Sequence, residues 1–130
     1  MNKSITNLKE KLDKFPEIKY LIEGNSITVP SNCEKGFPVS FCQSQNNFTV
    51  SFKGWHEEFD KEEEAFACFK FGLSQKCRLK VLSRGKFEYK WILEHQRNNE
   101  WAQDSETGLM FFPFWEKENI SYFQNTYFQD

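Results

Sequence analysis

Trp55-His56-Glu57-Glu58-Phe59-Asp60 is the stretch whose residue types could do chemistry. A histidine titrates near neutrality, and a carboxylate beside it can share its proton or help hold a weakly bound metal. His56 with Glu57 or Glu58 is therefore the acid–base pair that the chain offers. Little completes it. The second histidine, His95, is distant in sequence, and no ligand spacing matches a zinc site. There is no G-x-S-x-G elbow and no glycine-rich phosphate loop. Cys68 and Cys77 flank a helix and read as packed thiols without an evident base. The carboxylates also have a simpler use, at the positive end of the helix that follows. No metal and no cofactor are expected, and the balance leans away from an enzyme.

Two other groups could bind without catalysing. Trp55, Tyr89, Trp91 and Trp101 carry large rings with polar handles, which could line a small-molecule pocket on an aromatic sheet face. The second group follows from charge. Residues 57–64 hold six acids and one lysine, whereas 70–90 hold seven cations against Glu88 alone. Arg78, Lys80 and Lys90 share the polar sheet face and suit an acidic protein; Phe71, Tyr122 and Phe123 add apolar contact area. Single-stranded nucleic acid would need exposed rings interleaved with those cations. The rings are expected on the opposite face, so nucleic acid is set aside.

These groups depend on the segment 48–94 for their positions. Phe48, Val50, Phe52, then Cys77, Leu79, Val81, then Phe87, Tyr89, Trp91, Leu93 recur at every second residue. Polar residues fill the alternate places, the mark of antiparallel sheet with one wet face. Between the strands lies a helix over 61–71, capped by Asp60 with Glu63 reaching back, and ended by Gly72 in the left-handed conformation. Its stripe Ala65, Phe66, Phe69, Leu73 faces the sheet, which leaves Phe71 on the other side needing cover. An earlier helix carries Ile5, Leu8, Leu12 and Phe15 on one face, with Ser4 as cap and Pro16 as stop.

Turn chemistry sets the expected registers. Gly24-Asn25 makes a two-residue hairpin loop that pairs Ile22 with Ile27. A second hairpin pairs Phe41 with Phe48, Val39 with Val50 and Phe37 with Phe52. For the third, a loop of Ser83-Arg84-Gly85 brings Val81 opposite Phe87 and Lys80 opposite Glu88, with Gly85 at positive φ. Residues 96–99 and 104–108 read as turns, with Trp101 opening a short segment between them. The run 109–115 is apolar on both sides and reads as a strand with both faces covered, placed at an edge or bulge by Pro113. The aromatic tail 118–130 is expected to dock.

The chain is expected to be one α+β domain over 1–130, with two helices and a curved antiparallel sheet of about seven strands, ordered α-β-β-β-β-α-β-β-β. Fifteen phenylalanines and 18% aromatic residues imply a core of large rings at few positions. A net charge of −2 gives no general pull toward nucleic acid or membrane, and no run of about twenty apolar residues exists to span a bilayer. Four cysteines without a C-x-x-C pair, and no apolar leader after Met1, suit reduced thiols in the cytoplasm. The leading expectation is a small non-catalytic protein-binding or adaptor module, or one that self-associates. A small-molecule pocket comes second, and an enzyme using His56 third.

Overall fold

The computed structural model describes residues 2–128. The class is α+β, with two helices and antiparallel strands around aromatic clusters, and the strands form two sheets, of five and four. Helix α1 (Lys3–Leu12) comes first. A meander follows: β1 (Leu21–Glu23), β2 (Ser26–Val29), β3 (Val39–Gln43), β4 (Phe48–Phe52) and β5 (Trp55–Phe59), paired in that order. Helix α2 (Glu62–Gly72) then carries the chain to the second sheet. That sheet contains β6 (Cys77–Arg84), β7 (Phe87–Arg97), β8 (Glu100–Gly108) and β9 (Glu118–Phe123), in the spatial order β8-β7-β6-β9. No helix among the described residues is long and apolar enough to cross a membrane.

The expected face of the first sheet is the buried one. Ile27, Val29, Val39, Phe41, Val50 and Phe52 are all fully buried, and Phe69 of α2 and Leu73 just after it lie with them in the core. The first hairpin pairs Ile22 with Ile27, and Gly24 takes φ +56 in its two-residue loop. The second hairpin differs from expectation by two residues: Phe41 lies opposite Val50 and Val39 opposite Phe52. A slip of two preserves every side chain's face, so burial cannot choose between the registers. Phe41 and Phe48 still stack diagonally, 5.7 Å apart.

The helix ends also differ. Asn2, not Ser4, caps α1, its Oδ1 accepting from the Ile5 N–H at 2.9 Å. Ser4 is buried inside the first turn and donates its hydroxyl to Glu62. Asp60 does not cap α2: residues 55–59 pair with β4, and the helix starts behind Lys61, with no side-chain cap. Glu62 is engaged by Ser4 and Asn7 of α1 instead. Gly72 is not left-handed. It is the last residue of the helix, and a Cβ there would meet the Phe52 ring.

In the second sheet Gly85 does take φ +59, but it opens a two-residue loop, Gly85-Lys86. Val81 therefore faces Trp91, not Phe87, and Lys80 faces Ile92, not Glu88. A bulge reconciles this with the alternation. The register shifts at Leu82/Ser83, leaving Tyr89 as the extra residue of β7, so Phe87 lies opposite Arg84 and is 44% exposed. The expected turn at 104–108 is part of β8, an edge strand with polar residues on both faces. The expected strand over 109–115 does not form. Pro113 cannot donate to a ladder, and β9 takes the place beside β6.

After β9 the chain is tied down by polar bonds. Fully buried Asn125 accepts from the Phe37 N–H at 3.0 Å and donates to the Phe37 and Gly72 carbonyls, both at 2.9 Å. Gln124 donates to the Gln75 carbonyl at 2.6 Å, and the Tyr127 hydroxyl donates to the Pro30 carbonyl at 3.0 Å.

Candidate binding surface

His56, Glu57 and Glu58 lie exposed on β5, an edge strand of the first sheet. The hydrogen bonds of His56 run through its backbone: its N–H donates to the Thr107 hydroxyl at 3.3 Å, and that hydroxyl donates back to its carbonyl. No carboxylate is hydrogen-bonded to its ring among the described residues. Desolvation, and then the nearby Asp104, hold the Glu57 carboxyl above its ordinary range. Among the described residues, no three His, Cys, Asp or Glu side chains cluster as a metal site would need. The thiols are packed: burial pushes Cys68 up to about 12 and raises Cys77 as well.

The four candidate ligand-binding aromatics come from both sheets and do not share one face. Trp55 is 1% exposed in the core, stacked on Phe52 at 4.7 Å and donating its indole N–H to Ser105 at 3.0 Å. Trp91 also points inward, over Gly54, and donates to Glu88 at 3.2 Å. Tyr89 and Trp101 belong to the outer face. The four rings thus do not surround one cavity.

That outer face holds the candidate cations. Arg78 is clasped between two rings, its guanidinium carbon 4.4 Å from the Trp101 centroid and 4.3 Å from that of Tyr122. Glu94 completes the site with an ion pair to Arg78 at 2.7 Å. Aromatic rings therefore do share the cationic face, contrary to expectation, because Trp101 and Tyr122 come from flanking strands that the alternation did not reveal. The cations are largely committed: Arg78 to Glu94, Arg84 to Glu118 at 3.3 Å and Lys90 to Glu106 at 3.5 Å. Lys80 makes no ion pair among the described residues. Phe123 packs against the core beneath Lys53 and Lys35, and Phe71 is half-buried against the same core.

The surface that the sequence did not single out is the 109–115 loop. Met110 and Phe111 are each 84% exposed, and Phe114 and Trp115 each 72%. The loop is nonetheless held. The Leu109 N–H donates to the Tyr89 carbonyl at 2.7 Å, and the Gly85 N–H donates to the Lys117 carbonyl at 3.0 Å beyond the other end. Inside, Glu116 N–H donates to the Pro113 carbonyl at 3.0 Å. Phe112 alone turns in, stacking on Tyr89 at 4.1 Å, while the Tyr89 hydroxyl donates to Glu118 at 2.7 Å. One ring anchors the loop and its neighbours face water. Pro113, in a run without alternation, was the available sign that the segment is not a strand.

A second apolar feature is concave. Between α1 and α2 an open groove of about 580 Å³ has walls that include Leu8, Leu12, Phe15, Phe66, Leu73 and Phe128. Lys11, Lys14 and Lys70 stand along it, with Glu62 and Glu63. Comparison of the chain with protein-family models, with curated proteins and with solved structures finds no match.

Proposed function

We propose that this chain is a non-catalytic protein-binding module whose contact element is the 109–115 loop. The observation that carries this reading is the exposure of Met110, Phe111, Phe114 and Trp115 on a loop fastened at both ends. Burying a large apolar side chain gains about 1.5–3 kcal/mol over leaving it in water, so four kept outside represent a large unused driving force. Contiguous exposed apolar surface of this kind marks an interaction site, and Trp, Phe and Met are the types enriched at protein interfaces. The Phe112 anchor lowers the ordering cost of binding, since the loop is already shaped. The outer sheet face, with Arg78, Tyr122 and Lys80, is a polar surface from which a rim could form.

The test compares baits. Wild type and a Phe111→Ser/Trp115→Ser variant are used side by side in quantitative affinity purification, and any protein that depends on the loop is rebound from purified components. The expected result is a partner lost by about tenfold or more with the variant and retained by Lys86→Ala. Loop-independent recovery of every protein, with a blue-shifted tryptophan emission on phosphatidylcholine vesicles, would replace the protein partner with a lipid surface.

A further inference from the structure

We infer that the partner is a second copy of this chain, and that the 109–115 loop of one copy seats in the α1–α2 groove of the next. This rests on the reading of the loop as a binding element. The molecule carries a convex apolar surface and an open concave one in which Phe15, Phe66 and Phe128 stay partly exposed, and the described residues cover neither. They cannot meet within one copy. Strand β6 starts just after α2 and ends beside the loop, and its 8 residues span about 25 Å. The loop is also pinned at both ends, by Leu109 to Tyr89 and by Lys117 to Gly85.

Shape and charge both suit the pairing. A volume of about 580 Å³ lies within the usual range for ligand clefts, and the walls are aromatic and aliphatic, as the loop is. Phe114 and Trp115 already form an edge-to-face pair at 5.3 Å, a rigid knob of two rings. Glu116 directly follows the knob and makes no ion pair among the described residues, while Lys11, Lys14 and Lys70 line the receiving groove. Lys117 is the next residue, and Glu63 stands among those lysines to oppose it. Both signs are complementary.

Two copies that exchange loops, each groove receiving the other's loop, close a two-fold dimer; without that exchange the loop-to-groove contact is heterologous and the assembly grows with concentration. An isologous contact of loop against loop would need no groove, which makes the two arrangements separable.

The experiment uses the full chain, with light scattering after size exclusion from micromolar to near-millimolar concentration. Phe111→Ser/Trp115→Ser removes the knob at exposed positions. Ala67→Glu places a charge in the groove, at an exposed site on α2 where glutamate is a good helix former. Wild type is expected to self-associate, and each variant alone to do so about tenfold more weakly or not at all. Mixing the two variants is expected to restore a heterodimer, because one intact loop and one intact groove remain. Wild type that stays monomeric throughout, Ala67→Glu that associates like wild type, or a mixture that stays monomeric would each overturn the inference. If the loop variant still loses a foreign partner, the binding-module reading survives. If loop substitutions change nothing in either assay, both fall.

Discussion

The side chain of Asn125 closes a ring of two hydrogen bonds on the backbone of Phe37, accepting from its N–H at 3.0 Å and donating to its carbonyl at 2.9 Å. The geometry is that of one strand residue pairing with another, supplied here by an amide side chain. The second Nδ2 proton goes to the Gly72 carbonyl, so three segments distant in sequence meet at one amide. Asn125→Ala leaves three buried backbone groups without a partner. At about 1–3 kcal/mol for each unsatisfied group, a loss of about 3 kcal/mol or more is expected in urea unfolding. A loss below about 1 kcal/mol would mean that the fold does not rely on this clamp.

Gly72 tests packing in place of polarity. A Cβ there meets the Phe52 ring, so Gly72→Ala is expected to cost about 1–3 kcal/mol although alanine is the better helix former. Combining it with Phe52→Leu, which withdraws the ring, should cost less than the sum of the two changes. Strict additivity in that cycle would remove the steric explanation.

The thiols should differ in reactivity. Burial, followed by the charges of Glu57 and Asp104, pushes Cys68 up to about 12, and burial raises Cys77 further. Only the thiolate attacks, so at mildly alkaline pH the native protein should react with a disulfide reagent at Cys33 and Cys42 first. Peptide mapping of partly labelled protein reads the order. Early labelling of Cys68 would show that this side of α2 opens readily.

Glu57 gives a pH dependence with a definite sign. Its carboxyl is raised in the folded state, so the folded protein binds that proton more tightly than the unfolded chain does. Its contribution therefore favours folding at low pH and is lost as pH rises from the ordinary carboxylate range through the raised folded value. Glu57→Gln should remove this slope and leave the protein as stable as wild type, or slightly more so, at neutral pH. A clear loss of stability at neutral pH would indicate a favourable contact of the charged form.

How much of this was legible in the sequence depends on what alternation measures. It reports the face of a side chain, and there it served well: Phe41, Val50, Phe52, Leu79 and Val81 are buried as their spacing indicates. It does not report register, so it allows Phe41 opposite Phe48 as readily as opposite Val50, its partner in the sheet. Loop length and glycine position did fix the Ile22–Ile27 pair. The bulge at Tyr89 breaks the period of two within β7, and no residue type announces it. Strand β8 is polar on both faces, so it has no pattern to detect. The 109–115 loop misled for a different reason. Hydrophobicity suggests burial, yet apolar residues can also face water. The outer face was half visible: the alternation placed Arg78 and Lys80 there, but not the rings of Trp101 and Tyr122 around Arg78.

The Asn125 clamp also has a consequence for the order in which this fold can be made. Residue 37 leaves the ribosome 88 residues before its hydrogen-bonding partner, and Gly72 leaves 53 residues before it. Strand β6 likewise waits for β9, whose Tyr122 pairs with Lys80. Until that segment is made, the nascent chain therefore has helices and local hairpins available but lacks the contacts that join its two sheets to the segment after β9. Those long-range closures come last and are slow to search for. Until residue 125 is clear of the exit tunnel, the backbone of Phe37 and the exposed side of β6 stay open to other chains, and a crowded polysome is where this protein is most exposed to misassembly.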